Sequence, residues 1–259
     1  MDKVVRSAAE AVAGLADGSS IAVGGFGLCG IPSVLIAAVL EGGASRLDIV
    51  SNNCGVDGKG LGLLLEAGRI QRITASYVGE NREFARQYLS GELEVRLTPQ
   101  GTLAEKLRSG GAGIPAFYTK TGVGTVVEHG GLPWRYAADG TVALASPPLA
   151  TAEFDVAGEP SRFVLEMSIT CDWGLVRAAK ADRHGNLVFH SSARNFNPLC
   201  ATAARYTVVE AEELVEPGDL DPDEIHLPGA FVDAVVVLAP DEVRDKSIEK
   251  RVTREKASG

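Results

Sequence analysis

The sequence predicts an α/β protein: an open, largely parallel sheet with helices on both faces, plus a loop and hairpin excursion around residues 111–160. Three observations carry that expectation. Short β-branched apolar runs alternate with segments of helical period through the first half of the chain. Most of these runs end in loops of glycine or amide residues. The pattern loosens from Gly111 to Pro160 and resumes after about residue 170. Alternating strands and helices give a parallel sheet, because a parallel neighbour needs a crossover long enough to hold a helix.

Taken in order, Asp2 to Leu15 places Val4, Val5, Ala8, Val12 and Leu15 at helical spacing and is expected as a helix. Ser20 to Val23 is a strand. Pro32 suits the first position of a helix that runs to Leu40 and stops at Gly42-Gly43. Leu47 to Ser51 then completes a βαβ unit, for which a right-handed crossover is the rule. A helix over Gly60 to Glu66, a strand near Arg72 to Tyr77, a helix over Asn81 to Leu89, a strand over Leu93 to Thr98 and a helix over Thr102 to Leu107 continue the pattern. Within the excursion, Gly124 to Val127 and Thr141 to Ala145 read as short hairpin-like runs flanking Ala-Ala-Asp-Gly. Apolar runs return at Gly174 to Ala179, Leu187 to Phe189, Tyr206 to Val209 and Ala234 to Leu238, with a helix near Pro198 to Ala204. Residues 1–240 are expected to form one domain, and residues 241–259 a charged tail, either a solvated helix or a frayed end.

Composition narrows the function. A chain of 259 residues with 45% hydrophobic content can bury a large core, yet no apolar run reaches the roughly 20 residues needed to span a bilayer. The start, Met-Asp-Lys-Val-Val-Arg, lacks the order of a secretory signal, so a cytoplasmic location is expected. A net charge of −9 argues against nucleic acid and anionic membranes as partners, since both need clustered cations. Any anionic substrate must therefore be held by local geometry. Cys29, Cys54, Cys171 and Cys200 are scattered without Cys-x-x-Cys pairing, and His129, His184, His190 and His226 never fall at zinc-helix spacing. Neither disulfides nor a metal site is expected.

In an open parallel sheet, ligands bind beyond the carboxyl ends of the strands. The residues there are Gly24 to Gly30, Ser51-Asn52-Asn53, Gly79-Glu80-Asn81 and Pro99-Gln100-Gly101. Three of these four loops carry neutral amides, which can orient a carboxylate or a thioester carbonyl while leaving it reactive. The plainer alternative is that Asn52 and Asn53 form turns and Asn81 caps a helix. In the first loop, glycine tolerates positive φ and close approach by a ligand or second chain, and the N–H groups of the helix start favour a negative charge. Gly25-Phe26-Gly27-Leu28-Cys29-Gly30 also fits the dinucleotide pattern G-x-G-x-x-G. Two requirements of that mode are missing: the helix starts after the last glycine, at Pro32, and the second strand ends in Ser51-Asn52-Asn53, with Asp48 inside it.

Asp17-Gly18, the triplet Ile21-Ala22-Val23, then Gly24-Gly25-Phe26, Gly30 and Pro32 resemble the first signature of the family I coenzyme A transferases. Five further blocks, in order, resemble the A-type subunit of that family: Ser51-Asn52-Asn53, Tyr77 to Asn81, Thr98 to Glu105, Ala181 to Phe189 and Ala193 to Asn197. The resemblance implies a ping-pong transfer of CoA, with CoA thioesters as substrates and no permanently bound cofactor. It implies a glutamyl-CoA thioester on a glutamate of a B subunit, within Ser-Glu-Asn-Gly, a motif this sequence lacks. No catalytic nucleophile is therefore expected in this chain, which is expected to act only with its B partner in a heterodimer or heterotetramer. Asn52, Asn53 and Gln100 would seat the acyl carboxylate, and the loop of Gly24, Gly25, Phe26, Gly27 and Gly30 would let substrate and partner approach. Succinyl-CoA with acetoacetate is the favoured pair, with 3-oxoadipate, or acetate with a short-chain acyl donor, as alternatives. Residues 128–163 depart most from the family pattern and are candidates to line the acyl pocket.

Two residues invite a nucleophilic reading. Glu80 sits at a strand end in Gly79-Glu80-Asn81 but lacks the preceding serine, and is weighed as a supporting residue of the site. Cys29 lies near a helix start but has no histidine partner that the sequence identifies, and a small packed residue is the plainer reading. Readings of other classes are a nicotinamide-dependent dehydrogenase and a noncatalytic binding subunit.

Overall fold

Residues 1–246 are described by the computed structural model. The chain begins with α1 (Ala8–Ala11), β1 (Ser20–Val23), α2 (Ser33–Gly42), β2 (Leu47–Val50), α3 (Gly62–Glu66), β3 (Ile70–Ala75), α4 (Arg82–Ser90), β4 (Glu94–Leu97) and α5 (Gln100–Gly111). The excursion holds β5 (Ala116–Thr119), α6 (Val126–His129), β6 (Pro133–Tyr136), β7 (Val142–Ala145), β8 (Thr151–Val156) and β9 (Glu159–Met167). The last third holds β10 (Cys171–Ala178), β11 (Lys180–Asp182), β12 (Leu187–Val188), α7 (Asn197–Thr202), β13 (Ala204–Ala211), β14 (Leu214–Val215), β15 (Ala234–Val237) and α8 (Pro240–Arg244).

The main sheet has the order β15-β13-β10-β1-β2-β3-β4, and every pairing in it is parallel. From β1 the chain steps outward to β4 on one side, and from β10 to β15 on the other, so the direction of travel reverses between β1 and β10. Side chains alternate between two cores, as a period of two requires. Ile21, Val23, Ile49 and Ile73 pack with α1 to α4, while Ala22, Val50, Val176 and Val209 pack with α5 and α7. Each large aliphatic side chain buried this way contributes about 2 kcal/mol.

Asp48, an acid inside β2, is explained by its neighbours across the sheet. Arg72 Nη1 donates to Asp48 at 2.9 Å, Arg72 Nε to Glu94 at 2.9 Å, and Arg96 Nε to Glu94 at 2.7 Å. Burial raises the Asp48 carboxyl, with Arg72 opposing. Arg96 also lies 4.4 Å from the Trp134 ring, tying this ladder to the excursion that covers the same face.

Two expected elements are corrected. The helix expected over Asp2 to Leu15 is only α1, because Lys3 to Val5 runs extended beside the edge strand β15: Val5 N–H donates to Val235 O and Val235 N–H to Lys3 O, each at 2.9 Å. Pairing there satisfies backbone groups that the sheet edge would otherwise expose. The helix starts instead at Ser7, whose Oγ accepts from Glu10 N–H at 3.2 Å. Gly124 to Val127 is not a strand. Thr125 Oγ1 accepts from Val127 N–H and starts α6, and the partner of β7 is β6. An antiparallel sheet of β5, β9 and β8 completes the excursion. The expected tail begins as α8, and its residues beyond 246 lie outside the described ones.

Candidate active site

The loop after β1 is a tight turn. Phe26 and Cys29 exchange backbone hydrogen bonds at 3.0 Å each way, and Gly27 between them has φ +59°. Gly24 serves a different need. A Cβ on it would lie 2.6 Å from Asn197 Cγ, so the missing side chain is space that Asn197 occupies. Asn197 is fully buried. Its Nδ2 donates to Gly30 O at 2.9 Å and Ala193 O at 2.8 Å, and its Oδ1 accepts from Arg177 N–H at 3.0 Å. The close approach expected from a substrate or partner is thus made at Gly24, Gly25 and Gly30 by this chain itself, through Asn197, Ile31 and Ala193. Of the five loop residues singled out, Phe26 and Gly27 line the cavity described next.

The negative charge favoured at the start of α2 is also internal. Glu210, on β13, accepts from Val34 N–H at 2.9 Å and Leu35 N–H at 3.0 Å, and from Arg177 Nη1 at 3.3 Å. Burial pushes its carboxyl up to about 7, against the pull of those N–H groups and the guanidinium. Glu210 thus occupies the helix-start N–H groups that a cofactor pyrophosphate would use, which argues against the dinucleotide reading.

Beyond the carboxyl ends of β2, β3 and β4 opens a cavity of about 540 Å³. Asn52, Asn53, Glu80 and Gln100, expected from three separate loops, all line it, together with Ser76 and Tyr77. Asn52 is 2% exposed and Asn53 6%. Gln100 Nε2 donates to Asn52 Oδ1 at 2.7 Å, and Ser76 Oγ lies 2.9 Å from the same oxygen. Among the described residues the side-chain amide of Asn53 and the Nδ2 of Asn52 have no hydrogen-bond acceptor. The cavity therefore presents neutral amide groups that can donate to an oxygen. Glu80 is exposed at its rim.

Other candidates fall elsewhere. Asn81 is a cap: its Oδ1 accepts from Phe84 N–H at 2.8 Å, and its Nδ2 donates to Cys54 O at 2.9 Å. None of residues 128–163 lines the amide cavity. Leu132, Trp134 and Leu149 instead border a cavity of about 350 Å³ against the sheet face, because the excursion packs over the β2 to β4 side chains rather than over the strand ends. Cys29 borders a separate cavity of about 420 Å³, with its Sγ 3.6 Å from Ser192 Oγ. Burial pushes the Cys171 thiol up to about 12 and raises those of Cys54 and Cys200 further. Among the described residues no group of three His, Cys, Asp or Glu could hold a metal, and no helix is long and apolar enough to cross a membrane. Ser76 and Glu210 were missed from sequence: nothing local marks a serine or glutamate whose partners lie 24 and 175 residues away.

A reversing parallel sheet with amide donors gathered past its strand ends defines an α/β protein suited to handling acyl or carboxylate oxygens. Residues 5–238 match the family model described as coenzyme A transferase, and this chain belongs to that family. It is 60% identical over 255 residues, covering 98% of this chain and 100% of the relative, to a Mycobacterium bovis protein described as the probable A subunit of succinyl-CoA:3-ketoacid coenzyme A transferase. It is 51% identical over 246 residues to human succinyl-CoA:3-ketoacid coenzyme A transferase 2, mitochondrial, covering 95% of this chain but 45% of the human one. Among solved structures, the acyl-CoA transferase YdiF of Escherichia coli O157:H7 shares the fold with a TM-score of 0.74 at 22% identity, over 93% of this chain and 48% of that one.

Proposed function

We propose that this chain is the A half of a heteromeric CoA-transferase that moves CoA from succinyl-CoA to the carboxylate of a 3-oxoacid, with acetoacetate the favoured acceptor. The observation that carries the reading is the convergence of Asn52, Asn53 and Gln100 on one cavity in a chain 60% identical to a relative bearing that subunit's name. The human relative, less than half of which this chain matches, is consistent with a second half that other organisms keep as a separate polypeptide.

The chemistry follows from the bonds. A partner glutamate that attacks the thioester carbonyl releases CoA thiolate and leaves an acyl-glutamyl anhydride. The thiolate then attacks the glutamyl carbonyl, giving a glutamyl-CoA thioester and free succinate. The acceptor carboxylate runs the sequence in reverse. Each addition places negative charge on an oxygen, and the amides of this chain stabilise it while holding the substrate carboxylate without a full counter-charge.

The test is co-expression with a companion chain bearing Ser-Glu-Asn-Gly, followed by CoA exchange and intact-mass measurement. Exchange and a CoA adduct on the companion are expected only when both chains are present. Gln100→Ala should lower kcat/KM about a hundredfold with assembly intact. Full-rate exchange by this chain alone would end the proposal, and preference for 3-oxoadipate or acetate would replace the acceptor.

A further inference from the structure

We infer that Ser76 is a positioning residue which, with Gln100, holds the Asn52 amide with its NH2 end toward the ligand; this rests on the reading of the cavity just proposed. Ser76 grips Asn52 twice. Its backbone N–H donates to Asn52 O at 3.0 Å, and its Oγ lies 3.1 Å from that carbonyl and 2.9 Å from Asn52 Oδ1. Gln100 Nε2 adds a donor to Oδ1 at 2.7 Å. An amide oxygen has two lone pairs, and both are within reach of these donors, the single Ser76 proton being shared between Oδ1 and the Asn52 carbonyl.

The polarities of the Asn52 and Gln100 amides are coupled. With Gln100 presenting its NH2, rotating the Asn52 amide alone by half a turn would set NH2 against NH2; the reverse polarity needs both amides to turn together and the Ser76 proton to pass to the Asn52 carbonyl. Nδ2 has no acceptor among the described residues, and Asn52 lines the cavity. In the orientation observed, the end presented to a ligand is a donor. A donor stabilises a carboxylate or a developing oxyanion, whereas a carbonyl oxygen in the same place would repel it. The network spans the residues following β2, β3 and β4 in order, so three neighbouring strands fix one dipole. Ser76 acts through Asn52, and that dependence is what an experiment can read.

The experiment is a double-mutant cycle in the complex reconstituted with the B partner, measuring kcat and KM for acetoacetate with succinyl-CoA as donor. Ser76→Ala is expected to lower kcat/KM about fivefold to tenfold in the parent, and less than about twofold when Asn52 is already alanine. Ser76→Thr, which keeps the hydroxyl, should stay close to the parent. Equal losses in both backgrounds, no loss in the parent, or a Thr variant as impaired as the Ala variant would each overturn the inference. An Asn52→Ala complex with parental kcat/KM would sink the reading of the seat itself and this inference with it. An impaired Asn52→Ala beside an unaffected Ser76→Ala would remove Ser76 alone.

Discussion

Gly24→Ala tests whether the glycine loop is held by this chain's own Asn197. The new methyl would lie 2.6 Å from Asn197 Cγ and 3.1 Å from its Cα, so the asparagine side chain must leave its place. It then loses three hydrogen bonds, to Gly30 O, Ala193 O and Arg177 N–H, at a site with no water contact. At about 1 kcal/mol for each bond, the loss is about 3 kcal/mol. In a chain of this size that lowers the melting temperature by about 6 to 12 °C. Thermal and urea unfolding of the purified chain would read it. Asn197→Ala alone should cost a comparable amount, but Gly24→Ala added to it should cost less than about 1 kcal/mol, since the clash with the side chain is gone and only the 3.1 Å approach to the residue-197 Cα remains. A Gly24→Ala protein melting within about 2 °C of the parent, or paying the same cost in both backgrounds, would refute the clamp.

Three further outcomes are expected. Glu210→Ala strands Val34 and Leu35 N–H and strips Arg177 of a buried partner, and should cost about 3 to 5 kcal/mol by urea unfolding, with Glu210→Gln milder because its amide oxygen can still accept from both N–H groups. With a thiol reagent at pH 8, one thiol, that of half-buried Cys29, should react before unfolding, and Cys54, Cys171 and Cys200 only after it. His226 accepts from Phe189 N–H at 2.9 Å through Nδ1, and burial, aided by Arg194, holds its pKa below the usual 6.5. The unfolded chain therefore takes up that proton first, so this contribution to stability is present at pH 7.5 and is lost as pH falls below 6.5 through the folded value. His226→Gln should flatten the fall in melting temperature between pH 7.5 and 5.5, and an unchanged slope would count against it.

Neighbouring residues alone were enough to say where strands and helices alternate and which loops close the strands. The continuous apolar run Ile21-Ala22-Val23 marks a buried strand, and the amides at 52, 53 and 100 announce polar strand ends, because both are properties of short stretches of chain. Which residues meet across the molecule was settled by folding. It inserted β10 beside β1, seated Glu210 on the start of α2, drew Lys3 to Val5 onto β15 and turned Ser76 onto Asn52. Local periodicity carries no record of such partners, since their pairing energy depends on chain segments that come together only when the whole sheet closes.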